Sequence, residues 1–340
     1  MRLLVTGGAG FIGSNYVHYV LEEHPEDTIT VLDKLTYAGN LANLEDVSAR
    51  VRFVRGDIAD PSVAGELVPQ VEAVVNFAAE THVDRSLEDA DAFVRTNVLG
   101  TKTLLDAVRS QPGMRYLQVS TDEVYGAVLT GHSLETDALN PRSPYSAAKA
   151  GGDLLVRSYH VSYGVDAVIT RGANTIGPYQ YPEKATPLFV TNAVDDLPLP
   201  IYGAGIAVRD YLYVRDHCEA IDLVLRRGIS GEIYNVGAGH EVNTHAVADC
   251  ILGLLDKPRT LKRLVDDRPG HDLRYSVDAS KLAALGWQPR HSLDETFAAT
   301  VAWYREHEPW WRAIKSDAGE FAAYYQRWYG NRLATSSPVR

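Results

Sequence analysis

The stretch VTGGAGFIGSN constrains the fold more than any other part of the chain. Gly7, Gly10 and Gly13 fall between a short apolar run, RLLVTGG, and a run with helical spacing, SNYVHYVLEEH, that stops near Pro25. In that setting each glycine has a definite use. Gly7 permits a tight turn, Gly10 lets backbone approach a pyrophosphate, and Gly13 lets helix and strand pack closely. The helix start supplies free N–H groups and a positive field for the anion. Asp33 closes the next apolar run, TITVLDKL, about 20 residues further on, where a carboxylate can hold a ribose diol. Together these features predict a dinucleotide site. They favour NAD over NADP, because Asp33 repels a 2′-phosphate, although the adjacent Lys34 softens that preference. Asp57 and Ile58, after a third apolar run, are candidates to touch the adenine, and Asp57 fits a turn equally well.

The rest of the first half repeats this strand-then-helix pattern. VRFVRGDIAD, VEAVVNFAAE, RYLQVSTDEVYG and DAVITRGANTIGP read as the third to sixth strands. AFVRTNVLGTKTLLDAVRS has helical spacing, with Val94, Val98, Leu104, Leu105 and Val108 on its apolar side, and SPYSAAKAGGDLLVRSYHVSYG reads as a long small-residue helix. The alternation predicts an α/β fold: a Rossmann-like, doubly wound parallel sheet covered on both faces. Beyond Gly177 the pattern loosens. GPYQYPEKATPLF and DDLPLPIYGAG read as loop and lid. YLYVRDHCEAIDLVLRR, GEIYNVGAG and HAVADCILGLL return to strand and helix spacing. The aromatics of WYREHEPWWRAIKSDAGEFAAYYQRWYG read as core packing and a cap. The expected organisation is a cofactor-binding domain over residues 1–177 and a smaller, less regular C-terminal substrate-binding domain over 178–330. Some elements of the second return to the first, and residues 331–340 are expected to form a flexible tail.

Composition narrows the partners. The 340 residues carry a net charge of −11, which argues against a nucleic-acid polymer but leaves room for a small anion held by a few basic groups. Cys218 and Cys250 cannot build a disulfide framework. There is no apolar run of about 18 residues for a membrane span, and the N-terminus does not read as a signal peptide. A cytoplasmic protein is expected. The histidines are scattered without zinc-like spacing, so no metal is expected.

Two short motifs carry the chemistry. YSAAK sets Tyr145 and Lys149 four apart, on one face of a helix. A free phenol, with pKa about 10, is a poor base at neutral pH, and reaching neutrality takes roughly 4 kcal/mol of differential stabilisation. An ammonium at Lys149 and an oxidised nicotinamide would supply it, so that Tyr145 could take a proton from an alcohol as hydride leaves its carbon. STDEVYG sets Thr121, Asp122 and Glu123 at the end of the fifth strand. They are either an acid–base pair or surface charges on a turn. Neighbours on a strand face opposite ways, so both carboxylates can serve one substrate only if the strand has ended there; Gly126 favours that.

The combination resembles the extended short-chain dehydrogenase/reductase family and, within it, the dTDP-glucose 4,6-dehydratase branch. The resemblance spans nearly the whole chain and rests on TGGAGFIGSN, LDKLTYAGN, GDI, NFAAETHVDRS, STDEVYG, SPYSAAKA, GPYQYPEK, VRDYLYVRDH and RPGHDLRY. It implies an NAD-dependent lyase that makes a 4-keto-6-deoxy sugar nucleotide for deoxysugar biosynthesis, rhamnose included. It implies a homodimer joined through the helices of Thr96–Val108 and Ser146–Arg157. Ala147, Ala148, Gly151 and Gly152 suit close helix approach, within one chain or between two. Glu123 would be the base at C5 and Asp122 the acid at C6, with Thr121 and Tyr145 at the 4-hydroxyl. Phe11, Ile12, Ala78 and Thr96 would join the cofactor contacts. Arg209 and Arg268 suit a diphosphate. The resemblance adds His82, Asn174, Glu183, Lys184, Tyr202, Asn243, His271 and Asp272 to the nucleotide-sugar side, with Arg85 close by.

The chain departs from the branch at two places. The branch reads Asn-Asn-Tyr-Gly-Pro where this chain has Asn174-Thr175-Ile176-Gly177-Pro178, and Leu-Ile-Pro where it has Ala185-Thr186-Pro187. Both fall near the expected sugar pocket or its lid, which leaves the base and the sugar open. The alternatives are a dehydratase or C4 epimerase for another nucleotide sugar, or a non-catalytic nucleotide sensor or scaffold. An epimerase has no use for the Asp122–Glu123 pair, and a sensor has no chemical use for the whole set.

Overall fold

The computed structural model describes residues 1–316 and 320–339. In chain order its strands are β1 (Arg2–Thr6), β2 (Thr28–Asp33), β3 (Val51–Arg55), β4 (Ala73–Asn76), β5 (Arg115–Thr121), β6 (Asp166–Gly172), β7 (Asn174–Ile176), β8 (Leu199–Tyr202), β9 (Val208–Tyr213), β10 (Ile233–Val236), β11 (Glu241–Asn243), β12 (Lys262–Val265) and β13 (Ser337–Pro338). Seven form one parallel sheet in the order β10-β6-β5-β4-β1-β2-β3. The order reverses at β1 and β4, and a crevice opens beyond the carboxyl ends of strands at such a point.

The sheet is buried on both faces, as its near-continuous apolar strands require. Leu3, Val5 and Val75 pack on one face against Tyr16, Val17 and Val20 of the helix Phe11–Glu23 and Cys218 and Ile221 of the helix Val214–Arg227. Leu4, Val74 and Tyr116 pack on the other against Leu104, Leu105 and Val108 of the helix Thr101–Arg109 and Val156 of the helix Pro144–Tyr163. The last helix is well bounded: Ser143 and Ser146 form a reciprocal capping box, and Gly164 ends it at φ 70°. Its glycines serve packing within the chain, since a Cβ on Gly151 would meet Val98 and one on Gly152 the Asn97 carbonyl.

Two segments expected as loop and lid are regular. Ala185–Val194 is a helix buried almost all round, so no polar face marks it in sequence, and Pro187 sits in the first turn, where it removes no helical hydrogen bond. Leu199–Tyr202 is a strand at the edge of the small sheet β13-β12-β8, where Pro200 is tolerated. A second small sheet, β11-β9-β7, completes the C-terminal part, whose core holds Phe189, Tyr211, Phe297 and Trp311. Strand β10 and the helix Val214–Arg227 return to the large sheet. Val94, expected on an apolar face, is 54% exposed, because Val94–Gly100 is wound as a π-helix and no longer follows a 3.6-residue repeat. In the expected tail, helix Glu320–Ala334 runs through residues 331–334 and β13 pairs with β12. Residue 340, and residues 317–319 of the aromatic stretch, lie outside the described residues.

Beneath the ends of β5 and β6 lies a buried ion pair. Arg171 Nε donates to Asp153 Oδ2 at 2.9 Å, and its Nη1 donates to the Tyr125 hydroxyl at 2.9 Å, which donates to Asn235 at 2.8 Å. The two charged side chains are 4% and 1% exposed. Arg171→Ala strands the Asp153 charge, and is predicted to lower unfolding free energy by about 3 kcal/mol or more in urea titration.

Candidate active site

The cleft at the carboxyl ends of β1, β2, β4, β5 and β6 is lined by all the residues expected to hold a cofactor: Gly7, Gly10, Phe11, Ile12, Gly13, Asp33, Lys34, Asp57, Ile58, Ala78, Thr96, Tyr145 and Lys149. Its floor has no room for side chains. Gly7 has φ 68° and a Cβ there would meet the Ala78 nitrogen at 2.6 Å, while a Cβ on Gly13 would strike the Gly7 carbonyl. Gly10 caps the helix Phe11–Glu23 without a side-chain bond, which leaves the helix N–H groups open to an anion. Asp33 accepts from the backbone N–H of Ala9 at 2.9 Å and of Leu35 at 2.8 Å, so the carboxylate also locks the glycine turn. Lys34 donates to Asp57 at 2.9 Å, and Asp57 also accepts from the Ala59 N–H at 2.9 Å. Asp57 is therefore a turn residue as well as a cleft residue, and Lys34 already pairs with it. A glycine cradle, an open helix start and an acidic ribose position fit a dinucleotide of the NAD type.

The opposite wall holds Thr121, Asp122, Glu123, Tyr145 and Lys149. Strand β5 ends at Thr121, whose Oγ1 accepts from the Glu123 N–H at 3.3 Å and so caps the 3₁₀ turn Asp122–Tyr125. That turn frees the two carboxylates from the alternation of a strand. Asp122 Oδ2 and Glu123 Oε2 are buried and have no hydrogen-bond partner among the described residues. Asp122 is 2% exposed. Burial, reinforced by the Glu123 charge, pushes its carboxyl up to about 8, against the pull of Arg209. Thr121 donates to Asp122 Oδ1 at 3.2 Å.

The protein's own groups act on Tyr145 in one main direction. Burial and the Glu123 charge raise its pKa, and a hydrogen bond with Thr121 only partly opposes them. Lys149 points its ammonium at the Val119 carbonyl, 2.6 Å away, and burial lowers it to about 8 against the pull of Asp153. In the protein alone, then, the spacing of four does not lower the Tyr145 pKa.

Of the residues expected on the sugar side, Asn174, Glu183 and Lys184 line the cleft. Lys184 donates to the Thr81 carbonyl at 2.8 Å, and Glu183 accepts from Arg85 at 2.8 Å. Seven are not among its lining residues. Arg209 lies 4.2 Å from the Tyr275 ring centre, donates to the Asp272 carbonyl at 2.8 Å and exerts its charge on Asp122. Arg268 is close enough to Glu123 to sense its charge. Asp272 holds Arg142 and the Tyr275 hydroxyl, His271 bonds Asp267, and Tyr202 donates to Asp84. His82 is buried, which pushes it down to about 4 and keeps it neutral. Asn243 has a local task, accepting from the Ala246 N–H to cap the helix Thr244–Leu254.

Of the positions where the chain departs from the branch pattern, Ile176 and Ala185 are not among the residues lining the cleft. Ile176 is buried in the C-terminal core beside Phe189 and Tyr211, and Ala185 is exposed at a helix start. Thr175 does line the cleft and bonds His217 at 2.8 Å. Tyr37, Glu80, Gln180 and His217 also line it and were not read from sequence. Tyr37 lay within the quoted motif LDKLTYAGN, and His217 within VRDH.

Comparisons agree with this geometry. The family model described as GDP-mannose 4,6 dehydratase matches residues 4–300. A dTDP-glucose 4,6-dehydratase of Streptomyces antibioticus is 49% identical over 321 residues, covering 93% of this chain and 96% of that protein. One from Mycobacterium tuberculosis is 47% identical over 332 residues, covering 96% and 99%. The crystal structure of the Streptomyces venezuelae dTDP-glucose 4,6-dehydratase with NAD and TYD bound matches with a TM-score of 0.91 at 49% identity, over 93% of this chain and 100% of that one. A glycine cradle, a Tyr–Lys pair and two adjacent buried carboxylates in one cleft, matched from end to end by such relatives, make this chain a member of the NAD-dependent epimerase/dehydratase branch of the extended short-chain dehydrogenases, homologous to the dTDP-glucose 4,6-dehydratases.

Proposed function

We propose that the chain is a lyase that converts dTDP-glucose to dTDP-4-keto-6-deoxyglucose with NAD as its resident cofactor. One observation carries this reading beyond the family: Asp122, buried with Oδ2 unpartnered among the described residues, adjoins Glu123 on a turn where both line the same cleft as Tyr145. A C4 epimerase needs no such pair. Tyr145 and Thr121 hold the 4-hydroxyl, and Tyr145 takes its proton. Glu123 removes the C5 proton, which the new C4 ketone makes acidic. Asp122 gives its proton to the C6 hydroxyl, which leaves as water. Gly7, Gly10, Gly13 and Asp33 would hold NAD, which would supply the redox chemistry by accepting hydride from C4 and giving it to C6 as Glu123 returns its proton to C5, and whose oxidised ring would bring the positive charge that favours the Tyr145 phenolate.

Asn174, Glu183 and Lys184 would meet the sugar, and Arg209 and Arg268 the diphosphate. The division near residue 177 would separate cofactor from substrate binding. No helix among the described residues is long and apolar enough to cross a membrane; a cytoplasmic place for the enzyme is supported by its two free cysteines. Leu99 and Leu154 stand 44% and 55% exposed on the two segments expected at a dimer contact, and Val161 stands 74% exposed further along the second helix. They support a homodimer.

Purified protein given dTDP-glucose without added cofactor should form a product absorbing in alkali and lighter by one water. Product of unchanged mass would mean epimerisation. Asp122→Asn is predicted to slow elimination by about 10²–10⁴-fold while C4 oxidation, followed by near-ultraviolet cofactor absorbance in a single turnover, stays close to wild type. The same variant reports the burial of the acid. The folded protein keeps the Asp122 proton up to pH about 8, whereas an unfolded Asp loses it near pH 4. Across that window the folded state binds more protons, so wild-type stability should fall relative to Asp122→Asn, by up to about 1.4 kcal/mol per pH unit. Parallel denaturation curves would contradict the raised acid. Sedimentation should show a dimer that Leu154→Asp and Val161→Asp together dissociate.

A further inference from the structure

Helix Glu320–Ala334 lies beyond residue 300, where the family match ends, yet it reaches the segment around Asp84 through a run of polar contacts that passes from the surface to the interior. Glu320 pairs with Arg85, Arg327 pairs with Glu88 at 2.9 Å, and the Tyr324 hydroxyl meets His82 Nδ1 at 3.3 Å. These three partners flank Asp84. The indole N–H of Trp328 donates to the Tyr202 hydroxyl, which also lies 3.1 Å from the Tyr329 hydroxyl and 2.7 Å from Asp84 Oδ2. A tyrosine hydroxyl has one proton. Tyr202 therefore spends it on Asp84 and accepts from Trp328 and Tyr329. The second oxygen of Asp84 accepts from Arg268 Nη1 at 3.0 Å.

Asp84 is 2% exposed and Arg268 15%. Arg268 sits on an irregular segment after β12, so nothing local fixes its long side chain. One of its five N–H donors goes to Asp84. Its Nε is buried and has no partner among the described residues, and the guanidinium senses Glu123 across the cleft. An arginine held at one edge, with donors left over, is ordered for a bidentate oxyanion without losing that freedom at binding.

We infer that Asp84 is a positioning residue, which aims Arg268 at the diphosphate of the nucleotide sugar, and that helix Glu320–Ala334 holds Asp84 in this attitude through Tyr202. The inference rests on the reading that a nucleotide sugar occupies the cleft. The test is a double-mutant cycle on the full-length, NAD-loaded protein, with dTDP binding by calorimetry and turnover of dTDP-glucose. Asp84→Asn should raise KM and the dTDP Kd by about tenfold or more, on the scale of one charge-assisted hydrogen bond, with kcat changed less than about threefold and bound NAD unchanged. In an Arg268→Ala background the same substitution should change Kd by less than about twofold, because its effect runs through the missing side chain. Tyr202→Phe keeps the carboxylate and removes one hydroxyl, so it serves where Asp84→Asn folds poorly; a rise in KM of about threefold, again abolished by Arg268→Ala, is expected. An additive cycle, or an unchanged KM in both variants, overturns the inference. Wild type that turns over dTDP-glucose with an additive cycle fails this inference alone. Wild type inert to dTDP-glucose but active on another nucleotide sugar fails the substrate reading alone, and the cycle is then read with the matching nucleoside diphosphate.

Discussion

A carboxyl group buried beside a second carboxylate cannot ionise cheaply, and this constraint organises the site. Asp122 has almost no contact with water, and its neighbour in sequence is another acid. Taking a lone carboxylate out of water costs several kcal/mol, so Asp122 stays protonated where an ordinary aspartate would not. Two adjacent carboxyl groups are thereby set apart in their environments, as the proposed acid and base roles require. The arrangement depends on ending β5 at Thr121 and turning the chain at once, with Gly126 at φ 75° closing the turn against the Asn140 carbonyl.

The surrounding charges are placed at different depths. Arg209 and Arg268 lie where they feel Asp122 and Glu123 respectively. Lys149 instead faces the Val119 carbonyl and the buried Asp153–Arg171 pair below the sheet end. The cofactor side relies on backbone geometry, where missing Cβ atoms and an unfilled helix start make the cradle.

What was legible in the sequence follows from how far each interaction reaches along the chain. The glycine turn, the Tyr145–Lys149 spacing and the Thr121–Glu123 turn are local, so their residues appear together in sequence. The alternation of apolar runs gave the parallel sheet because its strands are buried on both faces. The helix Ala185–Val194 was hidden for the same reason, since a helix buried all round shows no periodic polar face. The protein's own groups raise the Tyr145 phenol through burial and the Glu123 charge, so the expected lowering rests on the nicotinamide charge as well as on Lys149. Ile176, expected near the sugar pocket or its lid, turns into the C-terminal core, and sequence adjacency to Asn174 says nothing about which face it turns to. The Asp84–Arg268 contact joins positions 184 apart, and no local pattern announces it.

The central claim is that one cleft oxidises C4, removes water and returns the same hydride within a single binding event. The most direct measurement is turnover of dTDP-glucose carrying deuterium at C4, with the product read by NMR and mass spectrometry. The account predicts deuterium at C6 of a product that has lost one water. Deuterium retained at C4 in a product of unchanged mass, or lost to solvent, would contradict it.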